Sequence, residues 1–423
     1  MTMPHSIQII ATVLFALAIV HTFSVPVFAR LAHKHGPHAG LWHFLSEVEA
    51  VFGVWALVLL IVMALIAGVP TAVEYMDTRN FTEPLFVFAI MVVAASRPIL
   101  ELVGGLVRAL ARMIPVPRQL ATYFVVLTFV PLSGSLITEP AAMTLAALLL
   151  RDAYFKRPGH SAFKYMTLGV LFVNVSIGGV LSAYAAPPVL MVAQTFGWDS
   201  AYMLTHFGWR AVIAVLFNAF ILTLINRKAL ASGEVETHRG VTQDAPVHVP
   251  PLTILIHIVF LVGIVVFAHH PAVFMGLLVL FIGFCHAYKR FQSPLMLKEG
   301  LMVGFFLAGL VLLGALQKWW LQDLLGSLSP TVLFWGSTAL TAITDNAALT
   351  YLGSLVDGTT EAWRYMLVAG AVTGGGLTVI ANAPNPAGFS ILKSSFDNET
   401  ISPGRLFIAA LGPTLVAAAL FLY

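Results

Sequence analysis

Apolar runs long enough to cross a bilayer recur along almost the whole chain, and a helix needs about 20 such residues to traverse the hydrocarbon core. They lie near 6–28, 42–69, 83–107, 162–198, 208–226, 252–268, 271–288, 299–322, 363–393 and 404–422. Only 10% of the residues are charged and 59% are hydrophobic, with a mean hydropathy of +0.91. A soluble domain carries about 25% charged residues, so 22 basic and 19 acidic side chains cannot wet a surface of this size. The pattern predicts an all-α polytopic membrane protein with the lipid bilayer as its main partner. A net charge of +3 calls for no nucleic-acid partner. The single cysteine, Cys285, excludes a disulfide framework or a Cys-built metal centre from this chain alone. Met1 to Ser6 carries no Lys or Arg, so the first run reads as a retained span and not a cleaved signal.

Two further apolar stretches, 119–152 and 330–356, are each interrupted halfway by a polar motif: Ser133-Gly134-Ser135-Leu136-Ile137-Thr138-Glu139-Pro140 and Thr341-Ala342-Ile343-Thr344-Asp345-Asn346. Neither half of either stretch is long enough to span comfortably, which predicts re-entrant hairpins with the motif at the tip. Charge placement supports that layout. With each hairpin returning to its own side, one face carries Arg30, Lys34, Arg108, Arg112, Arg118, Arg151, Lys156, Arg157, Lys164, Arg227, Lys228, Arg239, Lys289, Arg290, Lys298, Lys393 and Arg405. The other carries Arg79, Arg210, Lys318 and Arg364, and basic loops gather on the cytoplasmic side. Both termini are then expected outside, and the polar linker 227–250 in the cytoplasm. The linker divides the chain into repeats at 1–226 and 251–423, each with five crossings and one hairpin. An odd number of crossings inverts the second repeat relative to the first, as in many secondary transporters.

Two local matches support the repeat. Ile137-Thr138-Glu139-Pro140-Ala141-Ala142 corresponds to Ile343-Thr344-Asp345-Asn346-Ala347-Ala348. Downstream in each half, Gly178-Gly179-Val180-Leu181-Ser182 through Pro187-Pro188 corresponds to Gly374-Gly375-Gly376-Leu377-Thr378 through Pro384. Gly and Pro inside the runs 162–198 and 363–393 predict broken helices. Freed carbonyls at membrane depth are tolerated only where they line a cavity. Ser182 in one break, and Thr378, Asn382 and Asn385 in the other, supply neutral oxygens for a cation. Glu139 and Asp345 supply charge, and intramembrane carboxylates are functional candidates by default. Two plainer readings stand beside this. Asp345 could cap the helix that follows it, and the glycine triplet could be a close-packing site.

Other features read more simply. Arg97 and Glu101, four apart on a span, pair with each other or tune the ion-site carboxylates. Glu47 and Glu49 read as interfacial. His33, His35, His38 and His43 form a cytoplasmic cluster, either solvated or pH-sensing, and Trp319-Trp320 reads as an interface belt. Motifs of P-loop, zinc-protease or nucleophile-elbow enzymes are lacking, so no enzyme is expected.

At these motifs the chain resembles the ion transporter superfamily, whose fold is shared by bacterial sodium/proton antiporters, arsenite permeases and sodium-coupled dicarboxylate transporters. Ala342-Ile343-Thr344-Asp345-Asn346-Ala347-Ala348 is similar to the antiporters' Asp-Asn tip. Gly374-Gly375-Gly376-Leu377-Thr378-Val379-Ile380, followed by Asn382 and Asn385, is similar to their broken helix, and the run Phe305 to Leu316 to the segment before the second hairpin. The first half differs: its tip reads Thr-Glu-Pro and its break Ala-Ala-Pro-Pro. The resemblance implies a sodium- or lithium-for-proton antiporter of the bacterial inner membrane, homodimeric, with elevator-like movement and no cofactor beyond the transported ions. Cation and proton would compete at Glu139 and Asp345. Asn346, Thr344, Thr378, Asn382 and Asn385 would ligate from the second half, and Thr138 and Ser182 from the first. Gly178, Gly179, Pro187, Pro188, Gly374, Gly375, Gly376 and Pro384 would form the breaks. The alternative is a sodium-coupled symporter of a small anion, which two acidic tips would repel; a channel is a third class.

Overall fold

The computed structural model describes residues 3–34, 36–155, 161–231 and 248–423. His35, Lys156, Arg157, Arg239 and most of the 227–250 linker therefore lie outside the described residues. Within them the chain is all helical. The principal helices are α1 (His5–Ala32), α2 (Val51–Ala67), α3 (Thr82–Ala94), α4 (Arg97–Met113), α5 (Arg118–Ile137), α6 (Glu139–Leu150), α7 (Ser161–Gly178), α8 (Pro187–Phe196), α9 (Trp209–Ile225), α10 (Pro251–Val266), α11 (Pro271–Ala287), α12 (Leu297–Gly314), α13 (Pro330–Thr341), α14 (Asn346–Ser354), α15 (Glu361–Gly374), α16 (Asn385–Leu392) and α17 (Pro403–Leu422).

Seven helical stretches among the described residues are long and apolar enough to cross a membrane: His5–Ala32, Val48–Ala67, Arg118–Ile137, Ser161–Leu181, Ser200–Ile225, Leu297–Gly314 and Pro403–Leu422. An eighth appears if α3 and α4, bent by 64°, form one span. The chain is a multi-pass membrane protein, and the difference from ten expected runs has local causes. The run 83–107 bends at Ala95–Ser96, where Ser96 is extended and Pro98 sits in the first turn of α4. The run 363–393 splits into α15 and α16, of 14 and 8 residues. The runs 252–268 and 271–288 form helices of 16 and 17 residues, just short of the usual spanning length.

The two interrupted stretches fold into helix pairs. α5 and α6 meet at Thr138, whose φ of 72° reverses the chain. Their arms then run so close that a Cβ on Gly134 would lie 3.3 Å from that of Ala142. At 20 residues, α5 is longer than the interruption suggested. Its mate in the second half is the pair α13 and α14, started by a Ser329 cap on the backbone amide of Val332 and by Pro330.

Equivalent packing recurs in both halves. α5 lies on α7, and α13 on α15; α6 lies on α16, and α14 on α8. Glycines make the first two contacts close. A Cβ on Gly178 would lie 2.6 Å from the Pro131 carbonyl oxygen, and one on Gly374 would strike the Thr338 carbonyl. The apolar core surrounds these crossings, while α9 to α11 carry many exposed large apolar side chains.

Candidate functional site

The breaks in the two long runs lie at Gly179–Ala186 and Gly375–Pro384, and each holds its gap open with hydrogen bonds to the neighbouring helix pair. In the first half Ser182 Oγ donates to the Ser135 carbonyl at 2.7 Å. Ser135 Oγ donates to the Gly178 carbonyl at 2.7 Å and accepts from the Leu181 amide at 2.9 Å. In the second half Thr378 Oγ1 donates to the Ala342 carbonyl at 2.8 Å, and the Asn346 amide to the Ala381 carbonyl at 3.1 Å. Asn385 Nδ2 spans its own break, donating to the carbonyls of Gly375 and Thr378, each at 2.8 Å. Pro187 and Pro188 open α8 on the far side of the first break, and Pro384 precedes α16. Gly178 is right-handed, with φ −73°. Space, not backbone freedom, explains the glycines here. A Cβ on Gly179 would strike Glu139 Oε1, and one on Gly376 would strike Val173. One on Gly375 would strike Ser176 Oγ and lie 2.8 Å from Asn346 Nδ2.

Glu139, the first residue of α6, is fully buried. Its Oε2 accepts from Asn382 Nδ2 at 2.8 Å, joining the tip in the first half to the break in the second. Its Oε1 has no hydrogen-bond partner. The same is true of Thr138 Oγ1, Asn382 Oδ1, Asn385 Oδ1 and both amide atoms of Asn346, all on buried residues. A buried polar atom left unpaired costs about 1–3 kcal/mol, so this density of unpaired oxygen is informative. It suits a small desolvated cation or water.

Asp345 behaves differently. Its Oδ1 accepts from the amides of Ala347 at 2.8 Å and Ala348 at 3.2 Å, so the capping role is realised. Both bonds fall on one oxygen, which leaves Oδ2 available. The residue is half-buried. Thr344 donates to the Leu340 carbonyl of its own arm at 2.9 Å and is not drawn into the cluster.

Several polar residues at these crossings were not singled out in the sequence. Ser176 donates to the Val372 carbonyl at 2.7 Å beside Gly375. Thr341 and Thr373 are fully buried with unpaired hydroxyls. Polar residues within apolar runs beside the glycine motifs were the available signal. Elsewhere, Arg97 Nε meets Glu101 Oε1 at 2.7 Å, an ion pair within one helix. Glu47 pairs with Lys298 at 3.1 Å and lies 3.6 Å from His43. His33, His38 and His43 are not buried. Trp319 is exposed, whereas Trp320 donates to Gln317 Oε1 at 2.9 Å.

Among the described residues no three His, Cys, Asp or Glu side chains gather as a metal centre. The polar groups gathered here are amide and hydroxyl oxygens with the Glu139 carboxylate. A search of the curated proteins gave no match. Residues 6–423, almost the full length, match a family described as "Putative Na+/H+ antiporter", and the chain belongs to that family.

Proposed function

We propose that the protein exchanges sodium or lithium for protons across the bacterial inner membrane, through one site between the two helix-pair tips and the two helix breaks. The observation that carries this reading is Glu139: buried, bonded through one oxygen to Asn382 and unpaired at the other, among unpaired oxygens of Thr138, Asn382, Asn385 and Asn346. Burial disfavours an isolated carboxylate, and an adjacent cation favours it. Such a group takes either a proton or a metal ion, and mutually exclusive binding couples two gradients without another energy source. Asp345, primed by the amides at the start of α14, adds the second charge. Ser182, Thr378 and Ser135 hold the breaks in shape.

The recurrence of the same contacts in both halves supports reading them as inverted repeats, with the helix pairs as re-entrant hairpins from opposite sides. In that arrangement both termini face outward and the linker inward. The hairpins and broken helices would move together against the remaining helices, and two protomers would associate. A symporter of a small anion would have to bring its substrate beside two carboxylates.

Everted vesicles from a host without its own antiporters test the proposal. Sodium should dequench a pH dye with no added anion, and Glu139→Gln and Asp345→Asn should each reduce the response to background. Exchange like that of the unaltered protein in both variants would remove the carboxylates from the mechanism; dependence on an added anion would favour symport.

A further inference from the structure

Ser176 lies near the end of α7, and its hydroxyl reaches from the first half of the chain into the second, donating to the Val372 carbonyl of α15 at 2.7 Å. That carbonyl also accepts from the Gly375 amide at 3.3 Å, so it has a partner without Ser176. A hydroxyl carries one proton and two lone pairs. With the proton committed to Val372, the lone pairs of Ser176 remain open to another group.

Gly375 shows what faces them. A Cβ there would strike Ser176 Oγ and lie 2.8 Å from Asn346 Nδ2, so the hydroxyl of α7 and the amide at the tip of the second helix pair close over one small space. Asn385 Nδ2 donates to the Gly375 carbonyl at 2.8 Å and brings a third polar side chain to the same residue. Ser176, Asn346 and Asn385 are all fully buried, yet both amide atoms of Asn346 and Oδ1 of Asn385 have no hydrogen-bond partner. Close packing accounts for the glycine but not for these three atoms, which are costly to bury unpaired. The Glu139 carboxylate is within reach of this cluster by direct contacts. Gly179, whose Cβ would strike Glu139 Oε1, follows Ser176 by three residues on one face of the helix end. Asn382, which donates to Glu139 Oε2 at 2.8 Å, accepts through its carbonyl from the Asn385 amide at 3.0 Å.

We infer that Ser176 is a cation ligand of the exchange site, forming with Asn346 and Asn385 a neutral filter at the Gly375 break that selects small monovalent cations over large ones. This role rests on the antiport reading and adds to it a ligand from α7 and a basis for cation choice. Selection between cations of equal charge follows the size and rigidity of the cage. Here the cage is too tight for a methyl group and is held by the bonds to Val372 and Gly375. Losing one oxygen from it should weaken capture of the preferred ion about tenfold.

Everted vesicles receive sodium, lithium or potassium in turn, with a pH dye as the readout. Ser176→Ala should raise the half-saturating sodium concentration about tenfold, an effect on affinity more than on maximal rate, and should narrow the preference for sodium over potassium. Ser176→Cys keeps the volume and a proton for Val372 but replaces a hard oxygen by a soft sulfur, so it should share the loss. Binding of radioactive sodium to purified protein should weaken in both variants, with melting temperatures close to that of the unaltered protein. Sodium affinity and cation preference within twofold of the unaltered protein in either variant, while Glu139→Gln is inactive, overturn the inference and leave antiport standing. Failure of both variants to insert, or a lowered maximal rate at unchanged affinity, would make Ser176 a packing residue and overturns it equally. Sodium exchange that is absent in the unaltered protein, or retained in Glu139→Gln, overturns both.

Discussion

Asn382 joins the break in the second half of the chain to the buried carboxylate of the first. Its amide nitrogen serves Glu139 Oε2, and its own oxygen is left free. Asn382→Ala should therefore strip a buried carboxylate of its one partner, at a cost of about 1–3 kcal/mol. A lower melting temperature in detergent together with lost sodium exchange would show it. Asp345 allows a cleaner separation of roles, because Asn caps a helix as well as Asp does. Asp345→Asn should keep the melting temperature and lose exchange, whereas Asp345→Ala should lose both, with about 1 kcal/mol of stability from the missing cap. Equal melting temperatures for the two variants would show that the cap contributes nothing. The two carboxylates were legible in the sequence because an intramembrane acid is costly enough to need a reason. The partner of Glu139 was not, since the bond joins residues 243 apart and nothing local marks it. Ser176, Thr341 and Thr373 were hidden for a related reason: a lone hydroxyl in an apolar run looks like one that bonds its own helix.

Helices in this protein approach each other where side chains are missing. The α2–α12 crossing depends on Gly53 and Gly309, but the two are not equivalent. A Cβ on Gly53 would meet the Phe305 ring, the end of a side chain that can rotate; one on Gly309 would meet backbone atoms of Phe52 and Gly53. Overpacking costs about 1–3 kcal/mol when the surroundings must shift. Gly309→Ala should therefore fall in the upper part of that range and Gly53→Ala in the lower, as read from melting in detergent; the reverse order would mean that the helices slide apart easily. The same logic reaches the ion site. Gly179→Ala would push on Glu139 and Gly375→Ala on Ser176 and Asn346, so each should slow exchange at least tenfold, the kinetic equivalent of about 1.4 kcal/mol. Gly276→Ala, with open space around it, should be silent. At this scale Gly and Pro clusters in apolar runs are the signal for the helix ends at Gly178 and Gly374, where the glycines also allow close packing. The sequence reading missed the bend at Ser96, where Ser-Arg-Pro marks a helix start but the run stays apolar on both sides.

At the scale of the whole molecule, the reading depends on which side each connection faces. Helix lengths alone leave this open: α5 is long enough to cross by itself, and α6, at 12 residues, is not. Charge placement and packing are the grounds for proposing a return. If α5 crossed fully, Arg118 and Arg151 would lie on opposite sides, splitting the basic loops that otherwise gather on one face. The close approach of Gly134 to Ala142 shows that α6 folds back along α5. In the second pair Lys318 meets Asp357 at 2.5 Å across the two ends of the α13–α14 segment. Replacing Cys285 by Ala removes the native thiol, which is buried. Single cysteines at Arg118, Asp152, Gln322 and Asp357 can then be labelled in intact cells with a maleimide that does not cross membranes. Cysteines at Gln322 and Asp357 should react from outside, and those at Arg118 and Asp152 only after the membrane is opened. Labelling of the 118 and 152 cysteines from opposite sides would make α5 and α6 a full crossing and end the inverted arrangement, along with the shared site built on it.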